Sequence, residues 1–281
     1  MLTQFGRHSL DLDHPHVMGI LNVTPDSFYD GGRYFQQETV DLNAALKHAE
    51  GMVLAGASFI DIGGESTRPG AIKIGEQQEL DRVVPVVEAL VCEFDVVVSV
   101  DTSSPALIQA AAKVGAGFVN DVRALQNDGA LAAAESSKVP ICMMHMQGQP
   151  DTMQNNPAYK QVVDDVSSFL MARVDACERA GIAASKIIID PGFGFGKTDA
   201  HNFALLAQLS QIKALGFPVL VGLSRKSMIG RLLGRPPAER LAASLAMGLI
   251  ALQNGASILR VHDVQETMDV VNIFKKITTE Y

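Results

Sequence analysis

Short apolar runs that end abruptly in a polar residue recur along the whole chain, and segments with helical spacing separate them. The first run is Val17-Met18-Gly19-Ile20-Leu21, ending at Asn22. It has the length and composition of a strand buried on both faces. Beyond it come Thr24, Asp26, Ser27 and Asp30. Pro25 biases Thr24 away from helix, and Gly31-Gly32 permits positive φ. This connection, 22–41, is longer than a strand-to-helix turn needs, which favours a functional lid.

The alternation continues from there. Helical spacing over 42–55 stops at Gly56 and leads to a strand at 59–63, then to a second polar loop, Gly64-Glu65-Ser66-Thr67-Arg68-Pro69-Gly70-Ala71. A helix over 75–93 precedes a strand at 96–100, which ends at Asp101. Ser104 caps a helix over 105–114 that Pro105 opens. Further strands are predicted at 118–120, 140–145, 187–189, 219–221 and 258–262, and further helices at 129–136, 159–180, 201–215, 236–254 and 264–276. Residues 1–16 read as a leading segment, a hairpin over the bottom of the domain. Eight apolar strands alternating with eight helices predict an α/β fold, a single-domain (β/α)8 TIM barrel over 1–281. A doubly wound open sheet is the alternative, but it offers no reason for eight regular units. No linker or composition shift marks a second domain.

Composition narrows the class. Apolar residues make up 47% and charged residues 19% of the 281, enough for a large core and too apolar for disorder. A net charge of −8 argues against a nucleic-acid partner, though a few local cations suffice for an anionic substrate. Cys92, Cys142 and Cys177 lie far apart and form no CxxC pair, which disfavours a disulfide framework and leads to the expectation of a reducing cytoplasm. The polar N-terminus lacks a signal-peptide core and no apolar run reaches membrane-span length, so no membrane partner is expected.

In such barrels chemistry sits at the C-terminal ends of the strands. Those ends here are Asn22, Asp61 or Ile62, Asp101, Asn120, His145, Asp190, Lys226 just past strand seven, and Arg260 with His262. A single Asp in such a place is most often a helix cap or turn former. Capping does not explain a whole set that includes Arg260, His262 and Lys226. Asp101, Asn120 and Asp190 suit a flat heterocycle with several N–H donors, with Lys226 as a cationic donor to it. Two carboxylates could also hold a metal, but no His stands at ligand spacing with either. Arg260 and His262, on one face of a strand, suit a phosphate together with Asn22 and Arg68. Asn22 has a second reading, as ligand to a divalent ion that bridges phosphate oxygens. The bland reading of Arg260 is a salt bridge to Asp263 or Glu266.

The run GFGFGKT at 192–198 is neither a Walker loop, which needs Gly at Pro191, nor a dinucleotide fingerprint, since Lys197 occupies the third Gly position. It permits close backbone approach to a ligand and offers Phe193 or Phe195 for stacking, with packing the competing role for one of them.

The blocks GILNVTPDSFYDGG, DIGGESTRPGA, SVDTSS, VNDVRAL, MMHMQGQPDTMQ, IIIDPGFGFGKT, VGLSRKS and LRVHDV resemble, in order and along essentially the whole chain, the dihydropteroate synthases of the pterin-binding enzyme family. Tyr29 departs from that pattern, where Ser is more usual. The resemblance implies a cytoplasmic, homodimeric transferase of folate synthesis that joins p-aminobenzoate to 6-hydroxymethyl-7,8-dihydropterin diphosphate and is open to sulfonamide inhibition. It implies a pterin site of Asp101, Asn120, Met144, Asp190, Gly222 and Lys226. Asn22, Thr67, Arg68, Arg260 and His262 would take the diphosphate, with Mg2+ at Asn22. Phe28, Thr67, Arg68, Pro69, Phe195, Lys226 and Ser227 would shape the p-aminobenzoate site. Asp30, Asp101, Lys226, Arg260 and His262 form the implied catalytic set, under mobile loops 22–35 and 63–73. A folate-to-corrinoid methyltransferase of the same barrel type would use the pocket without needing the Arg260/His262 pair or the two loops, which are present here and rank it below. A non-catalytic pterin-binding protein would show eroded loop residues, and none is visible in NVTPDSF or ESTRPG.

Overall fold

In the computed structural model the eight apolar runs form one parallel sheet curled into a barrel, with helices outside. The structure describes residues 1–24, 35–36, 39–65, 74–148, 153 and 157–280. In chain order the main elements are β1 (His16–Asn22), α1 (Leu42–Leu54), β2 (Phe59–Gly63), α2 (Glu76–Glu93), β3 (Val97–Asp101), α3 (Pro105–Lys113), β4 (Phe118–Asp121) and α4 (Ala130–Ser137). There follow β5 (Ile141–Met144), α5 (Val162–Arg179), β6 (Ile187–Asp190), α6 (Asp199–Ala207), α7 (Leu209–Lys213), β7 (Leu220–Val221), α8 (Ser227–Leu233), α9 (Leu241–Gln253), β8 (Ile258–Val261) and α10 (Val264–Glu280). The strands neighbour one another in the order β6-β5-β4-β3-β2-β1-β8-β7, and a parallel bridge between Ile189 and Val219 joins the two edges.

Strand alternation sorts the side chains into two sets. Val17, Ile60, Val98, Val119, Ile141, Ile187, Val219 and Leu259 pack outward, in the cluster shared with the helices. Their neighbours Met18, Phe59, Val97, Phe118, Cys142, Ile188, Leu220 and Ile258, one from each strand, make a closed apolar layer inside the barrel. The leading segment is the expected hairpin. Leu2–Phe5 pairs antiparallel with His8–Asp11, and Phe5 and Leu12 join the inner layer from below. The Phe5 ring stands edge-on to Phe59 at 5.1 Å and to Phe118 at 5.4 Å. A Cβ on Gly117 would lie 2.9 Å from the Phe5 carbonyl oxygen, so only glycine lets the hairpin seat this closely. The lower end of the barrel is therefore a hydrocarbon floor.

Several predicted boundaries move for local reasons. The helix expected over 201–215 starts earlier, because Thr198 accepts from the His201 N–H in a capping box, and it is split at Gln208. The helix expected over 236–254 starts at Leu241, since Pro236-Pro237 opens a short 3-10 turn instead. Within 227–233, where no helix was expected, α8 forms and ends at Gly234 in the left-handed region. In the long first connection, Phe35–Gln36 pairs antiparallel with Thr39–Val40.

Replacing Phe5 by Ala should destabilise the protein by about 3–5 kcal/mol, the scale for emptying a buried aromatic site. Urea unfolding measures it. A loss below about 1 kcal/mol would show that the hairpin is an attachment rather than part of the core.

Candidate active site

Two residues further along each strand the inward layer changes character. The positions there are Ile20, Asp61, Ser99, Asn120, Met144, Asp190, Gly222 and Arg260. Above them Asn22, Gly63 and Asp101 stand side by side with Asn120 in one register row. Polar and charged groups thus converge directly on top of the apolar floor.

Asp61 lies at the centre of this layer and is fully buried. It accepts from Ser99 Oγ, from Asn120 Nδ2 at 3.0 Å and from Arg260 Nε at 2.6 Å. Arg260 Nη2 reaches Asp101 Oδ2 at 2.9 Å, so one guanidinium bridges two carboxylates. Asp101 is pushed up to about 7 by burial, with Asp61 adding to the rise and the Arg260 charge opposing it. Burial also raises Asp190, against the pull of Lys226 and the Gly192 N–H, which donates to Asp190 Oδ1 at 2.7 Å. Lys226 is pushed down to about 8 by burial, with Asp190 holding it up. Its ammonium donates to the Phe193 carbonyl and stands 4.6 Å from the centre of the Phe195 ring. A Cβ at Gly222 would come within 3.9 Å of that ammonium.

The residues expected at the mouth are thus largely brought together. Asp101, Asn120, Met144, Asp190, Gly222, Arg260 and Lys226 all belong to the lumen or its rim. His262 sits two residues beyond Arg260, on the same face. Its ring Nδ1 is 3.1 Å from Ser224 Oγ, which also accepts the His262 backbone N–H at 3.2 Å. Ser227 follows Lys226 and opens α8. Of the two phenylalanines in the glycine-rich turn, Phe193 is fully buried in the core and Phe195 faces Lys226. Phe28, Asp30, Thr67, Arg68 and Pro69 lie outside the described residues, as do most of the two loops that carry them.

One alternative falls away, one expectation needs correction, and one strand end takes a larger part than the rest. Arg260 does not pair with Asp263 or Glu266. Asp263 instead receives two N–H groups of Arg225, and Arg260 points across the lumen. His145 does not face the mouth: it has the outward parity of Ile141 and Met143, and its ring packs edge-on to Phe169 at 4.9 Å. The sequence offers Asp61 only as one of two possible strand ends and gives it no role. It shares its layer with Asn120, Asp190 and Arg260, and Ser99, Asn120 and Arg260 all donate to it. Asp121 shows the contrast. It faces outward and accepts from Ser103 Oγ and from the Arg123 and Leu125 N–H groups, a turn former.

A divalent ion has a limited foothold. Among the described residues no three His, Cys, Asp or Glu side chains cluster as a metal cage. The amide oxygen of Asn22 lies over Gly63, 3.0 Å from where a Cβ would be, beside Asp101 in the register row. One hard neutral oxygen at the rim fits an ion such as Mg2+ that takes its remaining ligands from phosphate and water.

The family described as pterin binding enzyme matches residues 18–262. The chain is 54% identical over 265 residues to the dihydropteroate synthase of Escherichia coli K12, covering 94% of this chain and 92% of that one. A crystal structure of the Yersinia pestis dihydropteroate synthase with a sulfonamide drug superposes with a TM-score of 0.95 at 52% identity, covering 99% of this chain and 100% of the other. The Xanthomonas albilineans dihydropteroate synthase with 4-aminobenzoic acid gives a TM-score of 0.91 at 45% identity, with both chains fully covered at 100%.

Replacing Asp61 by Ala should cost about 3 kcal/mol of stability, because it leaves Arg260 buried with one carboxylate instead of two and removes the acceptor of Ser99 and Asn120. Denaturant unfolding reads the loss. An unaltered midpoint would show that the lumen reorganises around Asp101 alone.

Proposed function

The chain belongs to the pterin-binding enzyme family, and from that premise we propose a division of labour among the groups at the mouth of its barrel. Its reaction is that of dihydropteroate synthase. It condenses 6-hydroxymethyl-7,8-dihydropterin diphosphate with p-aminobenzoate and releases 7,8-dihydropteroate and diphosphate, a transferase step of folate synthesis.

The observation that carries the division is the polar layer over a sealed apolar floor. A flat reduced pterin has an edge rich in N–H donors. Asp101, Asp190 and the Asn120 oxygen are acceptors for that edge, Lys226 is a donor to its carbonyl or ring nitrogen, and Met144 and Gly222 give it packing and room. Diphosphate goes to the rim, to Arg260, His262 and Asn22. Arg260 is engaged with Asp61 and Asp101, so pterin N–H groups arriving at Asp101 leave Nη2 of Arg260 for a phosphate oxygen. Phe195, Lys226 and Ser227 line the p-aminobenzoate end.

No residue is needed as a nucleophile. The bond from the pterin methylene to the diphosphate oxygen breaks with both electrons going to oxygen. Arg260 and His262 stabilise that charge as it departs. The methylene cation left behind is stabilised by electron donation from the reduced ring and by the Asp101 carboxylate. The amine of p-aminobenzoate then supplies its lone pair to carbon and loses a proton. Mg2+ held by Asn22 and the substrate's phosphates would supply further neutralisation of diphosphate charge.

A homodimer is part of the same proposal. Ile250 on α9 and Ile273 and Ile277 on α10 are exposed on neighbouring helices, an apolar face suited to a second copy. Among the described residues no helix is long and apolar enough to cross a membrane. The three unpaired cysteines accord with a cytoplasmic setting.

Diphosphate release from the pterin diphosphate, with Mg2+ and with or without p-aminobenzoate, tests the reading, with the pterin product identified by mass. Release matched by dihydropteroate is expected, and binding without product in either case would overturn it. The dependence of kcat/KM for the pterin diphosphate on pH should be bell-shaped. Asp101, pushed up to about 7, must be ionised, so the rate falls below that pH. Lys226, pushed down to about 8, must be protonated, so it falls above that pH. A flat profile across both values would remove both roles. Replacing Ile273 by Asp should shift the sedimentation coefficient toward the monomer, and no shift would place the dimer face elsewhere.

A further inference from the structure

Lys197 is the lysine of the GFGFGKT run, and it points away from the mouth into the protein. Only 1% of it is exposed. Its Nζ donates to three carbonyls, those of Gly192 at 2.9 Å, Phe195 at 3.0 Å and His145 at 3.3 Å, and lies 2.9 Å from His145 Nδ1. Three carbonyl acceptors call for three N–H groups, which the ammonium has and the neutral amine lacks, so the carbonyl set suits the charged form. Burial first, and the Lys197 charge second, push the His145 imidazole down to about 3, which keeps it neutral. Burial pushes the Lys197 ammonium well below the ordinary lysine range and the Lys226 charge adds to the fall; Asp190 opposes it, and the three carbonyls on Nζ favour the ammonium.

The two loop carbonyls that Lys197 holds, those of Gly192 and Phe195, flank Phe193-Gly194. Between and beside these two carbonyls, the Phe193 carbonyl accepts from Lys226 and the Phe195 ring stands 4.6 Å from the Lys226 ammonium. The turn has other fastenings. Tyr159 Oη donates to the Gly196 carbonyl at 2.6 Å, and the Gly194 N–H donates to Asn202 Oδ1 at 2.7 Å. It also has no slack, since a Cβ at Gly192 would lie 1.8 Å from the His145 carbonyl oxygen and one at Gly196 would lie 2.4 Å from that of Gln147.

We propose that Lys197 is a positioning residue for the p-aminobenzoate end of the site: its buried ammonium shapes the 192–196 turn and thereby sets where Phe195 and Lys226 stand, without touching substrate. This rests on the division of labour above, in which those two residues meet p-aminobenzoate.

The test is steady-state kinetics of the full-length enzyme with both substrates varied, for wild type, Lys197→Met and Tyr159→Phe. Lys197→Met should raise KM for p-aminobenzoate by about tenfold or more and KM for the pterin diphosphate by a clearly smaller factor, because Phe195 meets only p-aminobenzoate whereas Lys226 also meets the pterin, which other groups hold as well. Tyr159→Phe removes one hydroxyl and no charge from the same turn, and should raise KM for p-aminobenzoate in the same direction by about two- to fivefold. Circular dichroism and thermal melting establish that each variant is folded. Equal losses toward both substrates, or no change toward p-aminobenzoate, would overturn the role. If Lys197→Met does not fold, Tyr159→Phe decides: an unchanged KM for p-aminobenzoate overturns the proposal. Wild-type protein that forms no dihydropteroate would overturn the reading beneath it, whereas wild-type turnover with unaltered variants removes only Lys197.

Discussion

The Arg260 guanidinium bridges Asp61 and Asp101 across the middle of the barrel, and the arrangement of the site follows from that contact. Two carboxylates in a lumen closed below by hydrocarbon repel each other unless a cation stands between them. With the guanidinium in place Asp61 can stay fully buried and still organise its neighbours, taking a hydrogen bond from Ser99 on one side and from Asn120 on the other. The planar fork of arginine suits this, since Nε serves one acid and Nη2 the other. The ligand-facing residues are thereby held before any ligand arrives, by groups that a ligand need not touch.

That polar layer depends in turn on the layer beneath it. Phe5, Phe59 and Phe118 form the centre of a floor that excludes water from below. The floor and the charged layer are only two residues apart along each strand, because the pleat returns a side chain to the lumen at every second position. The change from Phe59 to Asp61, from Phe118 to Asn120 and from Ile258 to Arg260 is therefore a single step in depth. Charge interactions above such a floor are screened less than at a surface, so the positions of a few groups carry most of the electrostatic effect.

Much of this was legible in the sequence, and what was not has a physical reason. The barrel could be read from strand regularity, and the mouth from Asp101, Asn120, Asp190 and Arg260. The partner of Arg260 could not be read. Its acids lie 199 and 159 residues away, while Asp263, three residues on, is engaged by Arg225. His145 looked like its fellows because it ends a strand, but the phase of the pleat sends it outward. The phase could have been found: apolar pairs such as Ile60 and Ile62 mark the helix-facing parity of β2, and Asp61 falls on the other. Lys197 was hidden in a different way, since a lysine among glycines suggests a phosphate, and only three-dimensional packing shows the carbonyls folded around it.

The charges of the lumen also bear on how the substrate is accommodated. Among the described residues facing it, Asp61, Asp101 and Asp190 stand against Arg260 and Lys226. Acids already match or outnumber cations, so a diphosphate arriving beside them meets little uncommitted positive charge in the lumen itself. Two things relieve this. On the proposed division of labour, proton donors on the pterin edge would take over Asp101 and Asp190 and release part of Arg260 and Lys226 toward the anion, which would couple binding of the ring to binding of the phosphates. On the proposed reading, a divalent ion arriving with the substrate would supply charge that the protein does not keep in place, and the neutral oxygen of Asn22 would help to hold it. On this view the excess of buried carboxylate is functional. It holds Arg260 firmly through Asp61 and Asp101, and on the proposed reading the release of that cation would follow the arrival of pterin donors at Asp101.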